Sequence, residues 1–202
     1  MKTIGIVGGV ASGKSTVAKM LVELGAGILD ADRTGHAVIN EDADVRAAIR
    51  KRWGDAVFTA EGKIDRAAVA ARVFAEDGRR DPELQFLQEL LHPRIGVRLQ
   101  EIGEKFDAAG KPAVVLDAPL LIEAGWKPFC DLVVMVDAPR EIRLHRAQQR
   151  GWTEADFNNR EAAQVSLDEK RRLSDVIIAN AGTEADLRSA VHLFWSKHIE
   201  PK

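Results

Sequence analysis

Residues 8–15 read Gly-Gly-Val-Ala-Ser-Gly-Lys-Ser, and this octapeptide directly follows a short apolar run at residues 3–7. The octapeptide matches the pattern GxxxxGKS. Val17, Leu21 and Leu24 share one helical face just after it, so a helix is expected there. A strand, this pattern and a helix, in that order, are typical of a phosphate-binding loop. The sequence therefore predicts a nucleoside triphosphate site, although the loop alone does not say which reaction follows.

The residue types of this phosphate-binding loop suit its chemistry. Gly8 and Gly13 allow the backbone to curl close to phosphates, with N–H groups pointing inward and the positive end of the helix dipole behind them. Lys14 is expected to bring a full positive charge to the β- and γ-phosphates, and the Ser15 hydroxyl to ligate Mg2+. Thr16 is expected to add a hydroxyl contact.

Four more apolar runs rich in β-branched residues predict strands, the weakest of them at 28–29 and the others at 113–116, 132–136 and 176–178. Helical patterns at 142–150 and 184–197 alternate with these strands. Such alternation favours an α/β fold with a parallel five-stranded sheet flanked by helices, whose ligands gather at the carboxyl ends of the strands.

Two segments interrupt the alternation. Residues 34–110 contain only helical patterns, at 42–53, 66–75, 82–91 and 94–107, and predict a helical insertion. Residues 151–170 are polar and precede the last strand, which favours a mobile lid over the site, or else a plain surface excursion. The core then comprises residues 1–33, 111–150 and 171–202.

Carboxylates follow two of the predicted strands. Asp117 should emerge at the same sheet edge as the loop, where it could hold Mg2+, unless it only forms a turn before Pro119. Asp30 and Asp32 would point to one side if they continue the second strand, and one of them could then accept a hydroxyl proton. Alternatively, the pair caps the helix that begins near Thr34.

Arginines recur at i, i+3 and i+7 after the fourth strand. Arg143, Arg146 and Arg150 therefore lie on one helical face at the entrance to the lid, where guanidinium groups could reach phosphate oxygens or could merely be solvated. His92 and Pro93 follow an apolar helical pattern. A helix break is the favoured interpretation of this dipeptide, because proline is comfortable in the first turn of a new helix.

Composition excludes several classes of protein. The 202 residues carry 29 Lys and Arg against 31 Asp and Glu, a net charge of −2, so no global positive field would attract a nucleic acid. The single cysteine, Cys130, excludes an internal disulfide framework and agrees with a reducing compartment such as the cytoplasm. No apolar run approaches the length of a membrane span, so no membrane contact is expected.

Six segments together resemble the dephospho-CoA kinase family along most of the chain. They are GGxxSGKST at 8–16, LGAGILDAD at 24–32, LHP at 91–93, DAPLLIE at 117–123, RxxxR at 146–150 and SDVIIANAG at 174–182. The phosphate-binding loop alone is shared by many nucleotide-binding proteins, whereas the combination of the loop with DAD and PLLxE is much narrower.

The resemblance implies a P-loop kinase with a core, a helical substrate domain and a lid, which transfers the γ-phosphate of ATP to the ribose 3′-hydroxyl of dephospho-CoA. By position, Asp32 would orient or deprotonate that hydroxyl, Lys14 would act in catalysis on the phosphates, and Arg146 would stabilise the transferring group. Ser15 and Asp117 would hold Mg2+. The residues expected to contact ATP are Gly8, Gly9, Ala11, Ser12, Gly13, Lys14, Ser15, Thr16 and Arg150. Those expected to contact the acceptor are Asp32, His92, Pro119, Leu120 and Glu123.

Three positions depart from the family pattern. Val7 and Ala179 stand where threonine and aspartate are common, and Ala11 stands where glycine is common, so Ala11 is expected to keep a negative φ. None of these departures removes a group that the transfer needs. The alternatives are another small-molecule kinase of the same superfamily and a nucleotide-dependent switch, whose guanine-reading form would need NKxD where this chain has DAPR at 137–140.

Overall fold

The computed structural model describes residues 1–73 and 80–200. The chain divides into two compact units: the first combines Met1–Asp30 with Ile102–Lys202, and the second is Ala31–Glu101. The first unit contains the sheet and the phosphate-binding loop. The second unit is largely helical.

The sheet of the first unit has five parallel strands in the order β2-β3-β1-β4-β5, which confirms the predicted sheet. In chain order the strands are β1 Lys2–Gly8, β2 Gly27–Asp30, β3 Ala113–Asp117, β4 Leu132–Asp137 and β5 Val176–Ala179. Because all strands are parallel, the loops that follow them emerge at one edge of the sheet. The phosphate-binding loop follows the central strand, β1.

Nine α-helices occur in the described residues, and none of them combines the length and apolarity that a bilayer crossing requires. They are α1 Lys14–Glu23, α2 Ala31–Glu41, α3 Ala43–Trp53, α4 Arg66–Val73, α5 Arg80–Ala108, α6 Arg140–Gln149, α7 Glu154–Ala162, α8 Leu167–Arg172 and α9 Glu184–His198.

The hydrophobic core joins one face of the sheet to α1 and α9. Ile4 of β1, Val115 of β3 and Val134 of β4 are wholly buried, and they belong to one cluster with Leu21 of α1 and Val191 of α9. Burial of each such side chain contributes roughly 1.5–3 kcal/mol. This packing fixes the central strand and the first helix, and thereby holds both ends of the phosphate-binding loop.

At the end of the sheet away from the phosphate-binding loop, two aspartates each make the same pair of hydrogen bonds to a neighbouring strand. Asp131 precedes β4: its backbone N–H donates to the Thr3 carbonyl at 2.9 Å, and its carboxylate accepts from the Thr3 N–H at 2.7 Å. Asp175 precedes β5 and makes the corresponding pair of bonds with Val133, at 2.8 and 2.7 Å. Each aspartate thus fixes the register between its own strand and the neighbouring one.

The second unit contains α2, α3, α4 and most of α5. Asp42 caps α3 by accepting from the N–H groups of Asp44 and Val45. The one β-bridge of the described part of this unit pairs Phe58 with Ile64 across a tight turn. Helices were predicted at 42–53 and 66–75 and are found there, except that residues 74–75 lie outside the described residues.

The predicted helix break at His92 and Pro93 is wrong, because α5 continues through both residues. Proline removes one helical N–H donor and crowds the preceding turn. The N–H that Pro93 lacks would have bonded to the Glu89 carbonyl. The neighbouring Arg94 guanidinium donates to the Leu90 carbonyl at 2.8 Å and pairs with Asp42 at 3.5 Å. Helical packing and these contacts therefore override the local preference of proline.

The predicted lid, residues 151–170, contains α7 and the first residues of α8. Thr153 and Asp156 form a capping box at the start of α7. Phe157 of α7 is wholly buried and clusters with Val10 of the phosphate-binding loop and Ala147 of α6. This segment is thus packed against the loop through an apolar contact.

Candidate functional site

The phosphate-binding loop is so tightly enclosed that three of its positions require glycine. A Cβ atom at Gly8 would lie 2.7 Å from the Ser12 hydroxyl oxygen, and one at Gly9 would lie 2.7 Å from a guanidinium nitrogen of Arg143. A Cβ at Gly13 would overlap the Asn180 amide nitrogen. Gly8 and Gly13 also have positive φ angles, 149° and 101°, which other residues rarely adopt.

Several backbone N–H groups of the loop are available to an anion. Among the described residues, no backbone carbonyl accepts from the N–H groups of Ala11, Gly13, Lys14 and Ser15. The Ser12 hydroxyl is wholly buried and has no hydrogen-bond partner in that part of the chain. Uncommitted amides at the start of a helix form an anion-binding concavity, which is the feature that phosphate oxygens require.

Ala11 adopts a left-handed backbone conformation, with φ 56°, so the expectation of a negative φ is wrong. No other residue besides glycine has a positive φ in the described chain. This conformation costs about 1–2 kcal/mol for an L-amino acid with a side chain. The methyl group is small enough to pack beside Val10 and Phe157, and strain of this kind is typical of functional loops.

Lys14 folds over the loop that precedes it. Its ammonium donates to the carbonyls of Gly8 at 3.0 Å and Gly9 at 2.9 Å. The pKa of Lys14 is lowered to about 8, chiefly by burial and next by the positive charge of Lys170, while the carboxylate of Asp117 opposes the shift. Lys14 therefore remains mostly protonated at neutral pH, and its charge is poorly hydrated and available to an anionic ligand.

Asp117 ends β3 at the same edge of the sheet as the loop, as predicted. It is in register with Ile6 of β1 on one side and with Asp30 of β2 on the other. Ser15 and Thr16 are exposed in the first turn of α1. The described residues contain no group of three or more His, Cys, Asp or Glu side chains that could hold a metal ion. A hard cation bound here would therefore need oxygens from a ligand as well.

The alternating arrangement expected for Asp30 and Asp32 is wrong, because β2 ends at Asp30 and α2 begins at Ala31. Asp32 is an exposed residue in the first turn of α2, where the helix dipole favours a carboxylate. His92 lies within α5 and is half-buried, and burial lowers the pKa of its imidazole. Both residues belong to the second unit.

The three arginines of the predicted row have different environments. Arg143 is 3% exposed. Arg146 is partly buried and donates from Nη1 to the Ser12 carbonyl at 3.3 Å and from Nη2 to the Asn180 carbonyl at 3.1 Å. Arg150 is an exposed residue that directly follows α6 as its C-cap. Of the three, Arg143 and Arg146 contact the phosphate-binding loop.

Arg143 is buried beside the phosphate-binding loop and bonds to its backbone. Its Nε donates to the Ala138 carbonyl at 2.9 Å, and its Nη1 donates to the Val10 carbonyl at 3.4 Å and forms a short ion pair with Glu161 of α7. The guanidinium carbon also lies 5.4 Å from the centre of the Phe157 ring. One side chain thus links the start of α6, the loop and the lid segment.

Glu123 is held by residues of the lid segment. Its Oε1 accepts from the Val165 N–H at 2.9 Å and lies 3.6 Å from the Lys170 ammonium. Lys170 is 1% exposed and donates to the Gln164 side chain at 2.6 Å. Pro119 and Leu120 of the same loop are exposed, and they present apolar surface just after β3.

Asn180, Lys170 and Glu161 are not among the site residues predicted from the sequence. Asn180 directly follows β5, so the rule that selected Asp117, a polar residue at the carboxyl end of a parallel strand, could have found it. Lys170 occurs in the charged run LDEKRR, which is typical of a solvated helix. Only tertiary packing distinguishes this buried lysine from its neighbours.

The chain is similar in sequence to known proteins along most of its length. Residues 2–186 match the family model of dephospho-CoA kinase. A dephospho-CoA kinase of Symbiobacterium thermophilum is 39% identical over 96% of this chain and 80% of its own length. One of Mycolicibacterium paratuberculosis is 38% identical over 100% of this chain, which spans only 48% of that relative.

A solved structure shares the fold. Dephospho-CoA kinase from Campylobacter jejuni aligns with a TM-score of 0.72 over 98% of this chain and 96% of that chain, at 24% sequence identity. The parallel sheet, the flanking helices and the glycine-rich loop are therefore those of a P-loop kinase. On the strength of the family match along residues 2–186 and the relatives above 30% identity, this chain belongs to the dephospho-CoA kinase family.

Proposed function

We propose that this chain transfers the γ-phosphate of ATP to the ribose 3′-hydroxyl of dephospho-CoA, giving coenzyme A and ADP. The observation that carries the proposal is the phosphate-binding loop: four amides without carbonyl partners in the described residues lie beside the half-buried Lys14 ammonium, in a chain of this family. Phosphoryl transfer needs positioning and neutralisation of charge more than covalent chemistry, and such a loop supplies both.

In this proposal the loop holds the triphosphate. The N–H groups of Ala11, Gly13, Lys14 and Ser15 donate to phosphate oxygens, and α1 directs the positive end of its dipole at them. The Lys14 ammonium leaves the carbonyls of Gly8 and Gly9 and pairs with the β- and γ-phosphates. Because its charge is already partly desolvated, the attraction is stronger there than it would be in water.

Ser15 and Asp117 are the residues proposed to hold Mg2+. Both are oxygen donors, which Mg2+ prefers, and the remaining ligands would be phosphate oxygens and water, since the described residues offer no larger acidic group. The bound ion would neutralise the charge that develops on the transferring phosphoryl group.

For the acceptor, Asp32 is proposed to orient the 3′-hydroxyl and to take its proton during transfer. Asp32 is an exposed residue in the first turn of α2. His92, Pro119, Leu120 and Glu123 are proposed to contact the acceptor. Of these, Pro119 and Leu120 offer exposed apolar surface, whereas Glu123 already binds the lid segment.

Arg146 is proposed to stabilise the transferring phosphoryl group, and Arg150, at the exposed end of α6, to contact ATP. Residues 151–170 are proposed as the lid that excludes water, and residues 34–110 as the substrate domain. A cytoplasmic location is also proposed, since the only cysteine is half-buried and needs no oxidising compartment.

The test is an acceptor-dependent assay. Purified protein is incubated with MgATP, with and without dephospho-CoA, and ADP and coenzyme A are measured. The proposal expects ADP and coenzyme A in equal amounts only when dephospho-CoA is present. A matched panel of nucleosides, nucleotides and sugars tests the other small-molecule acceptors. ADP formation that no acceptor stimulates would instead favour a nucleotide-dependent switch.

A further inference from the structure

The carbonyl oxygen of Ser12 in the phosphate-binding loop is held by two side chains from outside the loop. Asn180 Nδ2 donates to it at 2.8 Å, and Arg146 Nη1 donates at 3.3 Å. Asn180 is 6% exposed, so its amide is almost wholly removed from water. A buried amide donor with a well-formed bond is costly to replace, because the loss leaves the carbonyl without its best partner.

Asn180 is itself held firmly. Its backbone N–H donates to the Asp137 carbonyl at the end of β4, at 2.7 Å. Its own carbonyl and its Oδ1 accept from Arg146 Nη2 at 3.1 and 3.2 Å. Asn180 thus joins three groups: the end of the sheet, the guanidinium of Arg146 and the backbone of the loop.

The side-chain amide of Asn180 lies directly against Gly13. A Cβ atom at Gly13 would overlap Asn180 Nδ2, so the asparagine packs directly against the backbone of the loop. The peptide between Ser12 and Gly13 is planar, and its C=O and N–H point in opposite directions. Because Asn180 draws the carbonyl outward, the N–H of Gly13 points to the inner side of the loop.

We propose that Asn180 is a positioning residue for phosphate binding, which presets the Ser12–Gly13 peptide and the Arg146 guanidinium before the ligand arrives. This inference rests on the proposed role of the loop in binding ATP. Without the Asn180 amide only the longer Arg146 bond would hold the Ser12 carbonyl, so the peptide would rotate more freely and the Gly13 N–H would more often need to be reoriented on binding. Preorganised donors avoid that cost.

Two substitutions distinguish this role. Asn180→Asp removes the donor, places a carboxylate against the Ser12 carbonyl and strengthens the hold on Arg146, so that Arg146 is withdrawn from phosphate. Asn180→Ala removes the donor but leaves Arg146 bonded to Ser12. We therefore expect Asn180→Asp to be the more harmful change, the reverse of the order expected if only side-chain volume mattered.

The measurements are the affinity for tripolyphosphate by calorimetry and the KM values for ATP and dephospho-CoA. For Asn180→Asp we expect at least about tenfold weaker tripolyphosphate binding and a matching rise in KM for ATP, on the scale of one lost bond plus a repulsive contact. The KM for dephospho-CoA should stay within twofold. Asn180→Ala should show a smaller loss. Gln148→Glu adds the same charge at an exposed site on the helix of Arg146 and serves as control.

The outcomes separate the two proposals. If the unsubstituted chain binds neither tripolyphosphate nor ATP, the proposed role of the loop fails. If it binds both, but Asn180→Asp or Asn180→Ala keeps tripolyphosphate affinity within twofold, the positioning role of Asn180 is overturned. Equal rises in the KM for both substrates would also overturn it, since a general loss of structure acts on both. Thermal unfolding of each variant identifies any that fails to fold, and the other then decides.

Discussion

The Arg143 guanidinium and the Glu161 carboxylate form an ion pair that connects the phosphate-binding loop to the lid segment. Arg143 is 3% exposed and Glu161 is 25% exposed, so the pair is largely shielded from water. Arg143 also donates to the Val10 carbonyl, and Phe157 packs on Val10 from α7. Two neighbouring contacts, one polar and one apolar, therefore hold α7 to the phosphate-binding loop.

Glu161→Gln is expected to destabilise the fold. The substitution leaves the buried Arg143 charge without its carboxylate, and losing one partner of a buried pair costs about 3–5 kcal/mol, which we reduce to about 1–3 kcal/mol because Glu161 is partly exposed. The measurement is the free energy of unfolding in urea. Glu154→Gln is the control: Glu154 lies in the same helix as Glu161, and the substitution breaks its exposed pair with Arg140 of α6, which should cost less than about 1 kcal/mol. Equal losses in the two variants would contradict a special role for Arg143 and Glu161.

Ala11 should tolerate glycine but not valine. Glycine relieves the strain of φ 56° but loses the packing of the methyl group and adds disorder to the unfolded state, so Ala11→Gly should change stability by less than about 1 kcal/mol. A β-branched residue at this φ is a severe outlier. Ala11→Val should cost more than about 2 kcal/mol and weaken ATP binding. Thermal unfolding and nucleotide titration measure both effects, and a valine variant as stable as the glycine variant would show that the loop is not held in this conformation.

Nucleotide affinity should fall as pH rises through the pKa of Lys14, about 8. Below this pH the ammonium is charged and attracts phosphate; above it the neutral amine does not, so affinity for ADP should drop up to about tenfold per pH unit. Titrations between about pH 7.5 and 9.5 measure the effect. In Lys14→Arg the charge persists throughout this range, so the fall should disappear.

Lys170→Met should move the same fall to higher pH. Burial is the main cause of the lowered pKa of Lys14, and the positive charges of Lys170 and Arg143 add to it, against Asp117 and Glu123. Removing the Lys170 charge therefore raises the pKa of Lys14 and keeps the ammonium protonated longer. A profile unchanged by Lys170→Met would show that the two ammonium groups do not interact across the site.

Asp32→Asn should lower kcat by at least about a hundredfold with little change in ATP affinity, since general-base catalysis contributes about 10²–10⁴-fold. The amide keeps the shape of the side chain but cannot take the proton. Lys14→Ala, in contrast, should reduce both ATP affinity and kcat. Steady-state kinetics and ADP titration separate the two patterns. Loss of ATP affinity in Asp32→Asn would assign Asp32 to the nucleotide or to the fold instead.

The fold could be predicted from the sequence because its main signals are local. The apolar runs predicted all five strands, and the pattern at residues 8–15 predicted the turn between β1 and α1. The carboxyl-end rule correctly located Asp117 at the edge of the sheet. Errors arose where longer-range contacts act against local preference: α5 continues through Pro93, where the adjoining Arg94 pairs with Asp42, and α2 begins at Ala31, so that Asp32 lies in a helix instead of extending β2.

The supports of the candidate site could not be predicted in the same way. The spacing of Arg143, Arg146 and Arg150 identified a helical face but could not show that Arg143 is buried and Arg150 exposed. Lys170 resembles its charged neighbours in sequence, yet it alone among the residues of α8 is buried. Such partners lie far apart in the chain, so only packing brings them together.

Asp131 and Asp175, which precede β4 and β5, also affect the opposite ends of these strands. A slip of β4 by one residue would break both bonds of Asp131 at once and would exchange the side chains that the strand presents to the two buried faces of the sheet. Val136 lies five positions after Asp131, so about 17 Å separates this anchor from the opposite rim, where Gly8 is paired with Val136. Asp131 and Asp175 therefore fix the alignment of the strand ends that carry the phosphate-binding loop, although both lie at the other end of the sheet. Substitution of either aspartate would lower catalytic activity through residues that it does not contact.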